Sequence, residues 1–121
     1  MTAGEVIAQA DELRPNAYSR EQKLRWLRRL DGQLRAELLE SHLGAGTPEL
    51  AEGYEEATEL LAPFPWGEGL YTAWLFCQID LHNGEIQKYN QSLRLLASAW
   101  RSLADELNRT RMPRGLPCWR M

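Results

Sequence analysis

The sequence predicts an all-α domain of four helices followed by an irregular tail, on three observations. Apolar residues recur at three- and four-residue spacing through Leu24, Leu27, Leu30, Leu34 and Leu38, and again through Ile86, Tyr89, Leu93, Leu96, Trp100, Leu103 and Leu107. That is the period of a helix with one buried face. Between residues 66 and 83, Leu70, Trp74, Leu75, Cys77, Ile79 and Leu81 surround most of a helical circumference, as in a central, mostly buried helix. Turn-forming residues gather in a few places only, at Pro15-Asn16, across 44–65 and at Asn83-Gly84, which leaves long uninterrupted runs between them.

The first helix is expected from Ala3 to Leu13, with Val6, Ile7, Ala10 and Leu13 as its apolar stripe. Arg14-Pro15 ends it, because the residue before proline is pushed out of the helical region, and Pro15 becomes a hinge. Ser19-Arg20-Glu21-Gln22 reads as a capping box. It opens a second helix that runs to about Leu43, with Arg25, Arg28, Arg29 and Arg35 as a solvated face and Trp26 off the stripe. Residues 44–59 have no helical period and form a loop, with room for a short extended piece near 54–61. Pro63 and Pro65 forbid a continuous helix and favour an extended entry to the third helix, which begins near Trp66–Glu68 and runs to about Asn83. Asn83-Gly84 is a C-cap signal and makes a tight helical hairpin with the fourth helix, Glu85 to about Asn108; Gly84 takes positive φ. Leu27, Leu34, Leu75, Ile79, Leu93, Leu96 and Trp100 are the expected core.

A length of 121 residues implies one domain, placed at 1–108, with a basic tail at 109–121. The 44% hydrophobic and 26% charged content is that of an ordinary globular protein rather than a disordered one. The net charge of −3 conceals a segregation. Residues 44–70 hold six glutamates and no base, whereas 109–121 hold Arg109, Arg111, Arg114 and Arg120 and no acid. An acidic middle and a basic end suggest contacts between complementary charges, including contacts between copies. Cys77 and Cys118 make no disulfide framework, and neither a signal-peptide core nor a run long enough to span a membrane is visible. The expected compartment is a reducing cytoplasm.

No set of residues converges on chemistry. His42 and His82 lie on different helices, short of the three or four ligands a metal site needs. Cys77 reads as core, and Cys118 as the more reactive thiol. Glu55, Glu56 and Glu59 cluster, but a working carboxylate pair needs a shaped cleft, and a loop favours solvation or pairing with a neighbour's arginines. The Gly44-x-Gly46 and Gly67-x-Gly69 pairs lack the strand and third glycine of a phosphate loop. With pI ≈ 5.4, contact with nucleic acid is local and non-specific at most. The expectation is therefore no enzyme, no cofactor and no metal. Five tryptophans point instead to assembly: Trp74 and Trp100 lie on apolar stripes, while Trp26, Trp66 and Trp119 lie off them and are candidate contact anchors. Arg109, Arg111, Arg114 and Trp119 make the tail a docking element, with the acidic segment of a neighbouring copy, or another partner, as receiver.

Two ordered blocks carry a resemblance. The first is Val6-Ile7-x-x-Ala10-Asp11-x-Leu13-Arg14-Pro15-Asn16-x-Tyr18-Ser19, then Lys23-Leu24-x-Trp26-Leu27 and Leu30-Asp31-Gly32. The second is Leu60-Leu61-Ala62-Pro63, Leu70-Tyr71, Ile79-Asp80, Asn83-Gly84-Glu85 and Tyr89-Asn90. In this order they resemble the small helical head–tail connector (neck or adaptor) proteins of tailed bacteriophages and prophages. The acidic 44–59 segment and the PRGLPCWRM end depart from that pattern. The resemblance implies a helical protomer, monomeric in isolation or assembled into a ring of about a dozen copies. Such a ring sits below the portal in the virion neck, after assembly in the host bacterial cytoplasm, with portal, neck and tail proteins as partners. The competing reading is a small bacterial adaptor or regulatory module that binds a partner through an aromatic surface.

Overall fold

A computed structural model describes residues 1–39, 48–62 and 66–110, and within them the chain is all-α, with four α-helices and no strand. These are α1 (Ala3–Leu13), α2 (Arg20–Leu34), α3 (Trp66–Asn83) and α4 (Ile86–Thr110). The α-helical hydrogen bonding of the second helix stops earlier than the leucine spacing predicts. A π-helical turn, Arg35–Leu39, carries it on, and the predicted end near Leu43 lies outside the described residues.

The start of α1 is capped on every side. Thr2 is the N-cap and closes a reciprocal capping box with Glu5. The amides of Ala3 and Gly4, which a helix start leaves without partners, donate to Thr58 O and Glu56 O, both at 2.9 Å. The extended piece expected near 54–61 is thereby reduced to one isolated antiparallel bridge, Thr2 with Glu59. Gly4 suits this close approach, since a Cβ would stand 3.0 Å from both Glu56 Cβ and Glu56 O and push Glu56 back by a few tenths of an ångström. At the far end Arg14 leaves the helical region at φ −140°, ψ 83°, as the ring of Pro15 after it requires. Asn16 then secures the corner: its Oδ1 accepts from Tyr18 N at 3.1 Å, and its Nδ2 donates to Arg14 O and Asp11 Oδ1, both at 3.0 Å. Ser19 caps α2, its Oγ accepting from Gln22 N at 3.2 Å.

Helix α3 is the centre of the molecule, as its all-round apolarity predicts, and α1, α2 and α4 all pack on it. Leu70, Tyr71, Leu75, Cys77 and Ile79 are buried there with Leu27, Leu30 and Leu34 of α2 and Val6, Ile7 and Ala10 of α1. The turn into α4 is a Schellman motif: Glu85 N donates to Asp80 O at 3.0 Å and Gly84 N to Leu81 O at 3.1 Å. Gly84 sits at φ 74°, so the predicted hinge geometry holds. The hairpin is antiparallel, with Asp80 meeting Ser92 beside the turn and Gly69 and Thr72 facing Ser98 and Ala99 further along.

The core differs from expectation along α4 and at the end of α1. Leu103 and Leu107 are buried and Leu96 and Trp100 half-buried, but Leu93 is 37% exposed and Ile86 70%. Leu13 is likewise exposed, because it stands at the last position of α1, beyond the packed turns. The apolar stripe of α4 is covered only in its C-terminal half. That helix also continues to Thr110, past the boundary set at 108, so Arg109 belongs to it.

Two outcomes test this arrangement. Replacing Gly84 with Val places a β-branched residue in the left-handed region and lowers unfolding free energy by at least about 1–2 kcal/mol in urea titrations, with Gly84→Asn milder. Leu103→Ala costs about 2–5 kcal/mol in the same assay, whereas the half-open Leu93→Ala costs under about 1 kcal/mol.

Candidate functional site

Beneath the surface a polar frame joins the elements. Asp31 of α2 is fully buried. Its Oδ2 accepts from Tyr54 OH at 2.6 Å and Leu61 N at 3.2 Å, and its Oδ1 accepts from Tyr71 OH. The Tyr71 oxygen in turn accepts from Ala62 N at 2.8 Å. One carboxylate thus ties α2, α3 and the 54–62 segment together. A second node lies by the hairpin, where Asp80 accepts from Ser92 Oγ at 2.8 Å and from Arg14. The Arg14 guanidinium also lies 4.4 Å over the Phe76 ring. A third joins the corner to α2, with Lys23 Nζ donating to Asp11 at 2.7 Å.

Burial raises the Asp31 carboxyl above its ordinary range, against the hydrogen bonds from Tyr54, Tyr71 and Leu61. Burial beside that carboxylate pushes both phenols up as well. Asp31 and Tyr71 are fully buried, so the centre of this frame holds the fold, while Tyr54 is half-buried at its edge. Cys77 is buried too, its thiol pushed up to about 11 chiefly by desolvation, so it is weakly nucleophilic at neutral pH. Among the described residues no group of three or more His, Cys, Asp or Glu side chains is placed to hold a metal, and no helix is long and apolar enough to cross a membrane.

The tryptophans exchange the roles that helical spacing suggests. Trp26 is 3% exposed and cannot be a contact anchor. Its ring packs against Tyr18 (centroids 5.5 Å apart) and His82 (5.1 Å), and its carbonyl accepts from Trp74 Nε1 at 2.7 Å. Tyr18 donates to Asn83 Oδ1 at 2.6 Å, which draws the corner, α2 and the hairpin hinge into one cluster. His82 is held there by Gln78 O at 2.8 Å, in keeping with a capping histidine. By contrast Trp74 and Trp100, expected in the core, are half-buried. They line an apolar groove of about 490 Å³ with Leu30, Leu93, Leu96 and Ala97. Trp66 is half-buried at the start of α3.

The acidic segment also spends its charges differently. Glu56 takes Arg20 in a two-pronged pair, both contacts at 2.9 Å, which holds its carboxyl below the usual range. Glu59 accepts from the Met1 ammonium at 2.9 Å. These two are satisfied within the protomer rather than by a neighbour. Glu49, Glu52 and Glu55 remain exposed, with no side-chain partner among the described residues. Nor is the arginine face simply solvated: Arg28 Nε donates to Ala51 O at 2.7 Å and Arg35 Nε to Pro48 O at 2.9 Å, anchoring this segment to α2. Arg109 pairs with Glu106 one turn back. Arg111, Arg114, Arg120, Cys118, Trp119, His42 and Pro63 lie outside the described residues.

Neither a protein-family description, nor a curated protein, nor a solved structure matches the chain.

The buried carboxylate gives two expected outcomes. A folded-state pKa above the unfolded value favours the protonated form on folding. Asp31's contribution to stability is then full below about pH 4 and is lost as pH rises through the folded-state value. Relative to Asp31→Asn, the parent chain should lose stability as pH rises above about 4 in urea titrations; a flat or rising difference contradicts this. Tyr71→Phe strips Asp31 of a donor and Ala62 of an acceptor, costing about 1–3 kcal/mol.

Proposed function

We propose that this chain is a structural protein of virion assembly, a head–tail connector that forms a ring below the portal of a tailed phage and joins capsid to tail. The observation that carries the reading is where the resembling residues lie. Asp11, Arg14, Asn16, Tyr18, Lys23, Trp26, Asp31, Tyr71, Asp80 and Asn83 are among the members of the polar and aromatic frame that joins the helices. A resemblance concentrated in such residues bears on the framework as a whole. The surface supports the same reading: it carries an apolar, aromatic groove suited to a protein contact, and the charges of the sequence are segregated. On this reading the working state is a ring, assembled in the host cytoplasm and placed in the virion neck. DNA in the channel meets exposed arginines through its backbone alone. No cofactor takes part.

The Trp74–Trp100 groove also fits the alternative, a cellular adaptor that seats a partner helix. Co-expression with the portal protein encoded in the same genome separates them. A connector co-purifies with the portal as one large complex in size-exclusion chromatography and appears as a ring beneath it in electron micrographs. Retention of a host protein in place of the portal overturns the connector reading.

A further inference from the structure

We infer that copies of this chain contact one another head to tail, the groove between α2 and α4 of one copy receiving the acidic 48–59 segment of the next. The groove floor is apolar, formed by Leu30, Trp74, Leu93, Leu96 and Trp100. Arg101 lines the groove, and Arg94 stands seven residues before Arg101 on the same face of α4, two turns along; Arg29 neighbours Leu30 on α2. All three arginines are exposed, and none has a partner among the described residues.

The complementary charges are on the same chain but cannot reach. Glu49, Glu52 and Glu55 are exposed carboxylates without partners, interspersed with the small exposed apolar residues Ala51 and Ala57. Arg28 and Arg35 fasten this segment to one edge of α2, while Leu30 and Gln33 of the same helix line the groove on the other. Residues two apart on a helix point about 200° away from each other, so the helix itself separates the two patches. Among the described residues neither patch meets the other within one protomer, so a second copy can join them. Because the patches differ, the contact is heterologous and repeats from copy to copy, closing into a ring where the rotation permits, as the connector reading requires. The arginines set register and encounter rate, and covering the apolar floor supplies most of the affinity. The inference deepens the connector reading and rests on it for its use, although the contact is testable without the portal.

The test is sedimentation velocity and native mass spectrometry on the full chain over a range of concentrations, at low and high salt. The parent chain should show concentration-dependent association, weaker at high salt. Arg94→Glu with Arg101→Glu spoils the groove, and Glu52→Lys with Glu55→Lys spoils the segment. Each pair should weaken self-association by at least about tenfold while circular dichroism stays unchanged. Mixed together, the two variants should regain association, since the native groove of one meets the native segment of the other and the reversed groove meets the reversed segment. A parent chain that is monomeric throughout, or variants that assemble as the parent does, overturn the contact. So does loss of assembly on truncation after Thr110, which assigns the groove to the C-terminal residues instead. Portal capture without self-association sinks this contact and leaves the connector reading standing. Self-association without portal capture does the reverse.

Discussion

The fold depends on one buried carboxylate. Moving an ionised group such as Asp31 out of water costs several kcal/mol after relaxation, and the chain offsets this by surrounding it with donors from two other elements. Tyr54 OH, Leu61 N and Tyr71 OH fill its oxygens. The 54–62 segment has no ladder or helix of its own to hold it, so these bonds, with the arginine anchors from α2, determine where it lies. Loosening them frees the segment from its place over α2 and α3, and with it the N-terminal cap that its carbonyls provide for α1.

The same frame determines which aromatic residues reach the surface. Trp26 is sealed because the Arg14-Pro15-Asn16 corner brings Tyr18 back over it and the hairpin delivers His82 to its other side. Trp74 and Trp100 stay half-open because, among the described residues, no element covers the junction of α2 and the middle of α4. An aromatic residue is a contact anchor only where the fold leaves it uncovered, and periodicity along one helix does not report that.

Framework and contact surface therefore occupy different residues. The paired polar side chains orient helices, while the unpaired ones, Glu49, Glu52 and Glu55 on one edge and Arg29, Arg94 and Arg101 on the other, are left for other molecules. A fold can be held constant by the first set while partners are chosen by the second. Ordered polar motifs are thus a guide to architecture, and the residues that would choose a partner lie between them.

Much of the architecture was legible in the chain. The bounds of α1 and α3, the Ser19 cap, the Pro15 corner, the positive φ of Gly84 and the central position of α3 all follow from local rules, since each depends on residues within about one helical turn. The Thr2-x-x-Glu5 cap could have been read in the same way. Exposure of Leu93 and Ile86, burial of Trp26, the pairing of Glu56 with Arg20 and the assembly of Asp31, Tyr54 and Tyr71 were not legible. Each joins residues far apart in sequence, and burial of a stripe depends on whether a neighbour exists to cover it. The sequence by itself determined which segments are helical and where they stop. Only the tertiary structure decided which apolar and charged groups are used inside the protomer and which remain for contact, because that is settled by distances between helices rather than along them.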